Sequence, residues 1–265
     1  MKNKLTNHIK NKLGKYSVIY CPSKNFIWYK VPKTAGTSMF RGVMLKELDD
    51  VISYKAHPKE FDLWWDNLTD EKIQSYYTFT FIRNPFDRLV SAFSHLVIEN
   101  VFEEFKKVEP ILNGKESNIL GYDFNTTYSL WILFVMRCMG NSDMEDQSMY
   151  SGSAHWMPQY NFCVMDGLQH VDFIGSYENL KNDWKTIAKK IGVTETLPYV
   201  GASTNSKTTL TTREKHMSIP WDWYYVNSDL INKVYNYYEQ EIKLLGYDEQ
   251  AKTLLSENRL KNLKQ

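Results

Sequence analysis

Cysteine, net charge and long apolar runs are all scarce in this chain. Its three cysteines, Cys21, Cys138 and Cys163, are scattered, odd in number and without metal-ligand spacing. That excludes a disulfide framework and a zinc site, and points to a reducing compartment. No apolar run reaches the roughly 18 residues of a membrane span. The opening Met1-Lys-Asn-Lys-Leu-Thr-Asn-His-Ile-Lys10 also lacks the apolar core of a signal peptide. These absences predict a soluble, cytoplasmic protein with no membrane partner, or the trimmed form of an anchored one. Thirty-two basic against 31 acidic residues leave a net charge of +1. Such a balance argues against a surface built for nucleic acid, and gives no special support to a polyanionic acceptor. No internal repeat is evident. Asn67-Leu-Thr69 and Asn125-Thr-Thr127 match glycosylation triplets, which mean little without secretion.

The chain is organised around Phe26-Ile-Trp-Tyr-Lys-Val-Pro-Lys-Thr-Ala-Gly-Thr-Ser38. Phe26 to Val31 is an aromatic and β-branched run that predicts a buried strand, ended by Pro32 because proline cannot donate to a sheet ladder. A helix then starts near Gly36, with Met39, Phe40, Val43 and Met44 as its apolar stripe. Backbone N–H groups at such a start, with Lys33 and the hydroxyls of Thr34, Thr37 and Ser38, make an anion site, and Gly36 lets the backbone come close. Read alone, the string is equally compatible with an ordinary capped strand-turn-helix.

A second stretch repeats the plan. Tyr77-Thr-Phe-Thr-Phe-Ile82 predicts a strand, Asn84 a cap and Pro85 a first helical residue, while Phe86, Leu89, Val90, Phe93 and Val97 recur at helical spacing. Arg83 is left at the strand's exit and Ser91 two turns into the helix.

At these two stretches the chain resembles the sulfotransferases that use 3′-phosphoadenosine-5′-phosphosulfate (PAPS), and more narrowly the carbohydrate enzymes that include heparan 2-O-sulfotransferase. The resemblance runs over about residues 16 to 210, with weaker matches at His155-Trp-Met-Pro-Gln159, Phe173-Ile-Gly-Ser-Tyr-Glu-Asn-Leu180 and Asn205-Ser206. It implies that Lys30-Val-Pro-Lys-Thr-Ala-Gly-Thr-Ser38, through Lys33, Thr34, Ala35, Gly36, Thr37 and Ser38, holds the 5′-phosphosulfate. It implies that Arg83 and Ser91 grip the 3′-phosphate. Arg88, three residues before Ser91, either shares that face or forms a surface pair with an acidic neighbour. The product would be 3′-phosphoadenosine-5′-phosphate (PAP), and the acceptor a hydroxyl, in this family usually on a saccharide. Many eukaryotic relatives are anchored Golgi enzymes; the leader here departs from them.

Sulfuryl transfer needs the reacting oxygens in line and the leaving bridge neutralised, and Lys33 is the cation chosen for that. The acceptor hydroxyl must lose a proton, and histidine accepts one near neutral pH. Six histidines compete. His57 lies between the two motifs, where the resembling family places its base, so it ranks first. His155 ranks second, as base or acceptor contact, and His95 third. His170, before a strand, reads as structural, and His8 and His216 lie in less informative stretches. Trp64, Trp65, Trp156, Trp221 and Trp223 suit stacking on sugars, though any tryptophan is more often core. Lys207 and Arg213 could close over the nucleotide.

Strands alternate with helices, which predicts an α/β fold with a mostly parallel sheet flanked by helices. The resemblance implies the P-loop kinase-like sulfotransferase arrangement. Residues 1–15 read as a flexible arm and 16–265 as a single domain. Short helices are expected between 49 and 75, a long one from 85 to about 107, a buried one over Tyr128–Met139, another from Asn179 to Ile191 and a last from Ser228 to Leu245; the stretches around 114–125, 140–153 and 196–212 read as loops. Two alternatives stand. A kinase-like phosphoryl transferase is disfavoured by the missing G-x-x-x-x-G-K-[ST] pattern and by Arg-Asn-Pro where a metal-binding aspartate would end the second strand. A non-catalytic nucleotide-binding relative is disfavoured by Lys33 together with a candidate base.

Overall fold

The computed structural model describes residues 3–98, 124–140, 153–198 and 220–262. The chain divides into two compact units, residues 1–83 with 157–201, and residues 84–156 with 202–265.

The first unit is built on a five-stranded sheet. β1 (Val18–Cys21) and β2 (Phe26–Tyr29) pair antiparallel across the turn at 22–25, and β3 (Ile52–Ser53) pairs antiparallel with the far edge of β1. β4 (Tyr77–Ile82) runs parallel to β2. A small hairpin, β5 (Val164–Met165) and β6 (Leu168–Gln169), precedes β7 (Phe173–Ser176), which runs parallel to β4. The order is β3-β1-β2-β4-β7. Four strands therefore point one way and β1 alone runs against them, the mostly parallel sheet that the alternation predicted.

Each face is covered, and β2 and β4 are buried on both sides, with Thr78 and Thr80 of β4 on the face opposite Phe79 and Phe81. On one, Phe26, Trp28, Phe79 and Phe81 meet Met39, Val43 and Met44 of the helical run over 36–47, together with Trp184, Ile187 and Ile191 of α8 (Leu180–Ile191). That run consists of α2 (Gly36–Met39), widened π-helical turns and α3 (Leu45–Glu47). On the other, Tyr20 stacks on Trp64 of α4 (Pro58–Asp66), with 4.1 Å between ring centroids. α5 (Asp70–Gln74) follows, capped by the Thr69 hydroxyl. Asn67 ends α4, so the Asn67-Leu-Thr69 triplet is spent on helix ends.

The expected N-terminal arm is instead helical. α1 (Lys4–His8) and the π-helical Ile9–Leu13 bury Leu5, Ile9 and Leu13. Asp70 accepts the Thr6 hydroxyl and the backbone N–H groups of Leu5 and Thr6. The Lys/Asn-rich composition hid an apolar i, i+4, i+8 stripe.

The second unit is helical in its described part. α6 (Pro85–Phe93) continues as π-helical turns to Ile98; the rest of the helix expected to about 107 lies outside the described residues. Asn84 Oδ1 caps α6 by accepting the Phe86 N–H. α7 (Phe124–Gly140) buries Trp131, Phe134, Val135 and Cys138 but exposes Met136, so it is a packed helix with an open face and not one buried all round. Phe93, Trp131 and Tyr224 form an aromatic core. α9 (Ser228–Leu244) is the expected last helix, but α10 (Asp248–Asn262) follows it. The expected loops at 114–123, 141–152 and 199–212 lie outside the described residues.

Candidate active site at the strand ends

Parallel pairing sets Tyr29 beside Thr80 and Ile82 beside Ser176, so β2, β4 and β7 end on the same edge of the sheet. Ligands collect at such an edge in open α/β sheets. The loop leaving β2 turns sharply: Lys33 (φ 73°) and Ala35 (φ 64°) both adopt the left-handed conformation. Neither is glycine, and such positions store on the order of 1 kcal/mol of strain each, a cost found where a loop must hold one shape. Thr34 is fully buried and its hydroxyl donates to the Val31 carbonyl at 2.8 Å. That hydroxyl therefore braces the loop. Thr37 is exposed, Ser38 is buried, and Ala35 and Gly36 open α2.

Arg83 leaves β4 and is 8% exposed. Its Nη1–H donates to the Lys33 carbonyl at 3.0 Å, and its guanidinium lies 4.1 Å from the centroid of the Tyr177 ring. Gln159 clamps its backbone: Gln159 Oε1 accepts the Arg83 N–H at 3.0 Å and Gln159 Nε2 donates to the Arg83 carbonyl. The structure thus joins the two sequence motifs through Lys33 and Arg83.

Lys30, which the sequence offered only as part of the loop string, has its stem against Gly36: a Cβ placed there would lie 3.4 Å from Lys30 Cγ and Cδ. Burial, with smaller contributions from the nearby Lys55 and Arg41, lowers the Lys30 pKa to about 8. Three cations thus share one neighbourhood beside the loop.

His57 caps α4, its N–H donating to the Ser53 carbonyl at 2.9 Å and its carbonyl accepting the Phe61 N–H. Its Nδ1 is buried and makes no hydrogen bond among the described residues. In the second unit, Arg88 is fully buried and so is not the surface residue that one of its two readings required; its Nη1–H donates to the His155 carbonyl at 3.2 Å. The His95 and His155 rings lie 5.3 Å apart, so the second and third histidine candidates form one pair. Ser91 is half-buried on α6. Of the tryptophans set aside for sugars, Trp64, Trp65 and Trp156 are core, while Trp223 is 58% exposed. Lys207, Arg213 and His216 lie outside the described residues. Among the described residues, no three His, Cys, Asp or Glu side chains gather as a metal site, and no helix is long and apolar enough to cross a membrane.

Residues 16–248 match the model of the sulfotransferase family. The chain is 28% identical over 182 residues to carbohydrate sulfotransferase 14 of Danio rerio, covering 63% of this chain and 46% of that protein. It is 22% identical over 246 residues to carbohydrate sulfotransferase 10 of Pongo abelii, covering 87% and 66%, and 24% identical over 270 residues to carbohydrate sulfotransferase 12 of Xenopus laevis, covering 88% and 58%. The chain therefore spans between about half and two thirds of the length of these three relatives. These names do not carry the narrower likeness to heparan 2-O-sulfotransferase. No solved structure matches.

Proposed function

The chain belongs to the sulfotransferase family, and from that premise we propose that it moves a sulfuryl group from PAPS to a hydroxyl on a saccharide. The observation that carries the reading is the hydrogen bond from Arg83 to the Lys33 carbonyl, which ties the cation of one anion-binding motif to the loop of the other. A ligand with anions at both ends of one nucleoside suits two cation-bearing strand exits side by side. The donor set fits as well. Lys33, the exposed Thr37 hydroxyl and the N–H groups opening α2 suit a phosphosulfate. Arg83 suits a phosphate, whose geometry its planar fork matches. Ser91 keeps the role that the second motif implies for it, and Arg88, which could share that face, is buried with its Nη1–H on the His155 carbonyl.

PAPS, when bound, supplies an activated sulfuryl group. Lys33 neutralises charge on the phosphate side of the bridge. His57 is the proposed base: a ring nitrogen would take up the proton that the acceptor hydroxyl loses on transfer; His155 is the second choice. The relatives' names, carbohydrate sulfotransferases, support the saccharide acceptor.

Calorimetric titration with 3′-phosphoadenosine-5′-phosphate, against ATP with magnesium, tests the reading. Tight binding of the bisphosphate and none of ATP is expected; the reverse preference overturns it in favour of a kinase-like enzyme.

A further inference from the structure

Arg83 sits where a strand gives way to a helix, a place where a long side chain has several rotamers and the backbone has lost its ladder partners. Three contacts remove that freedom. The register pairing Ile82 with Ser176 makes Arg83 and Tyr177 neighbours at the ends of adjacent parallel strands, and the Tyr177 N–H donates to the Ile82 carbonyl at 2.7 Å, extending the ladder. The Tyr177 ring then lies under the guanidinium at 4.1 Å. Stacking of this kind engages the face of the guanidinium and itself consumes none of its N–H donors. Gln159, fully buried after Pro158, makes the paired hydrogen bonds that fix the Arg83 backbone. The Lys33 carbonyl fixes one edge of the fork.

We propose that Tyr177 and Gln159 are positioning residues that hold Arg83 preorganised for the 3′-phosphate of the nucleotide, so that they set how strongly the site distinguishes a 3′-phosphorylated nucleotide from one without that phosphate. This rests on the proposed function, in which Arg83 takes the 3′-phosphate. A purely structural role is the competing account, since a buried backbone N–H and carbonyl need partners wherever they occur. The two accounts differ in what they predict for ligands. Loss of a structural prop weakens all nucleotide binding together; loss of a positioning residue removes only the increment due to the 3′-phosphate.

The experiment is calorimetric titration of the full chain with 3′-phosphoadenosine-5′-phosphate and with adenosine 5′-phosphate, the ratio of the two Kd values giving the increment. Arg83→Ala should remove most of the wild-type ratio. Tyr177→Leu should cut it about tenfold, the scale of one charge-assisted hydrogen bond, and leave the adenosine 5′-phosphate Kd within about twofold. Tyr177→Phe, which keeps the ring, should restore the ratio, and adding Tyr177→Leu to Arg83→Ala should cost nothing more. Gln159→Glu, which keeps the acceptor but replaces the donor facing the Arg83 carbonyl, should behave like Tyr177→Leu. If that buried change unfolds the chain, as a thermal melt would reveal, the Tyr177 series decides alone. A wild-type ratio in Tyr177→Leu, or equal weakening of both ligands, overturns the positioning role. A wild-type chain that does not distinguish the two nucleotides overturns the 3′-phosphate reading itself, a separate failure seen before any variant is made.

Discussion

Lys33 and His57 differ in what each must do, and so in how each should fail. Lys33 stands in a strained turn whose own carbonyl is held by Arg83, so its backbone is fixed at the base of the side chain. Lys33→Ala should weaken binding of 3′-phosphoadenosine-5′-phosphate about tenfold and turnover more, since charge on the leaving bridge grows only as the bond breaks. In the proposed reading His57 has no part in that binding. His57→Ala should leave the bisphosphate Kd unchanged and lower turnover about 10²- to 10⁴-fold, the usual contribution of a general base. A His57→Ala variant with full turnover would transfer the role to His155. Residue identity made Lys33, Arg83 and His57 visible in the sequence, because each stands in or between two recognisable strings. The bond from the Thr34 hydroxyl to the Val31 carbonyl was not legible, since a hydroxyl's choice of partner depends on loop shape. Tyr177 and Gln159 carry only weak similarity in the sequence, because their contacts with Arg83 join positions more than 70 residues apart, Tyr177 through the β4–β7 register and Gln159 through its side-chain amide.

Elements built from local pattern were the legible ones. Alternation of aromatic strand, polar break and amphipathic helix marks β2 with α2 and β4 with α6, and Asn84 caps α6 as its type and place suggest. The hairpin β5–β6 was missed although Asp166-Gly167 is its signal, both residues having positive φ (53° and 77°) as a two-residue hairpin turn requires. β3 was missed for another reason: two residues pairing at a sheet edge leave no period to read. Within the sheet, one glycine is fixed by packing alone. A Cβ on Gly175 would lie 2.4 Å from Cε1 of Phe81 on the adjoining strand, and Phe81 is itself fully buried. Gly175→Ala should therefore destabilise the protein by about 2 kcal/mol, the usual cost of overpacking a core. Urea unfolding measures it, and Phe81→Leu should recover part of the loss when combined with Gly175→Ala although it is destabilising alone. Additive losses would show that Phe81 moves aside at no cost.

The N-terminal helix gives the first unit an acid limit of its own. His8 donates from Nε2 to the Asn161 carbonyl at 2.8 Å, its ring lies 5.3 Å from that of His170, and His170 in turn packs 5.7 Å from Tyr29 of the central sheet. Burial lowers the His170 pKa to about 4, with the neighbouring His8 adding to the shift. Below its ordinary value of about 6.5 the unfolded chain binds a proton that the folded chain refuses, so stability falls as pH drops from there towards 4. The Asp70 carboxyl that anchors Thr6 acts lower down. Burial pushes it up, yet the Thr6 hydroxyl and backbone N–H groups outweigh that and hold it below the usual carboxylate range. Its contribution is kept until the pH nears the ordinary aspartate value, so the window between pH 6.5 and 4.5 belongs to His170 and not to Asp70. Unfolding free energies from urea titrations should fall by roughly 2 kcal/mol across that window, allowing for the ring's partial exposure. His170→Gln, which cannot gain the proton, should flatten the slope while Asp70→Asn leaves it in place. An unchanged slope in His170→Gln would mean that the acid limit arises elsewhere, and that the helix over residues 4–13 is held by Leu5, Ile9 and Leu13 without any tie to protonation.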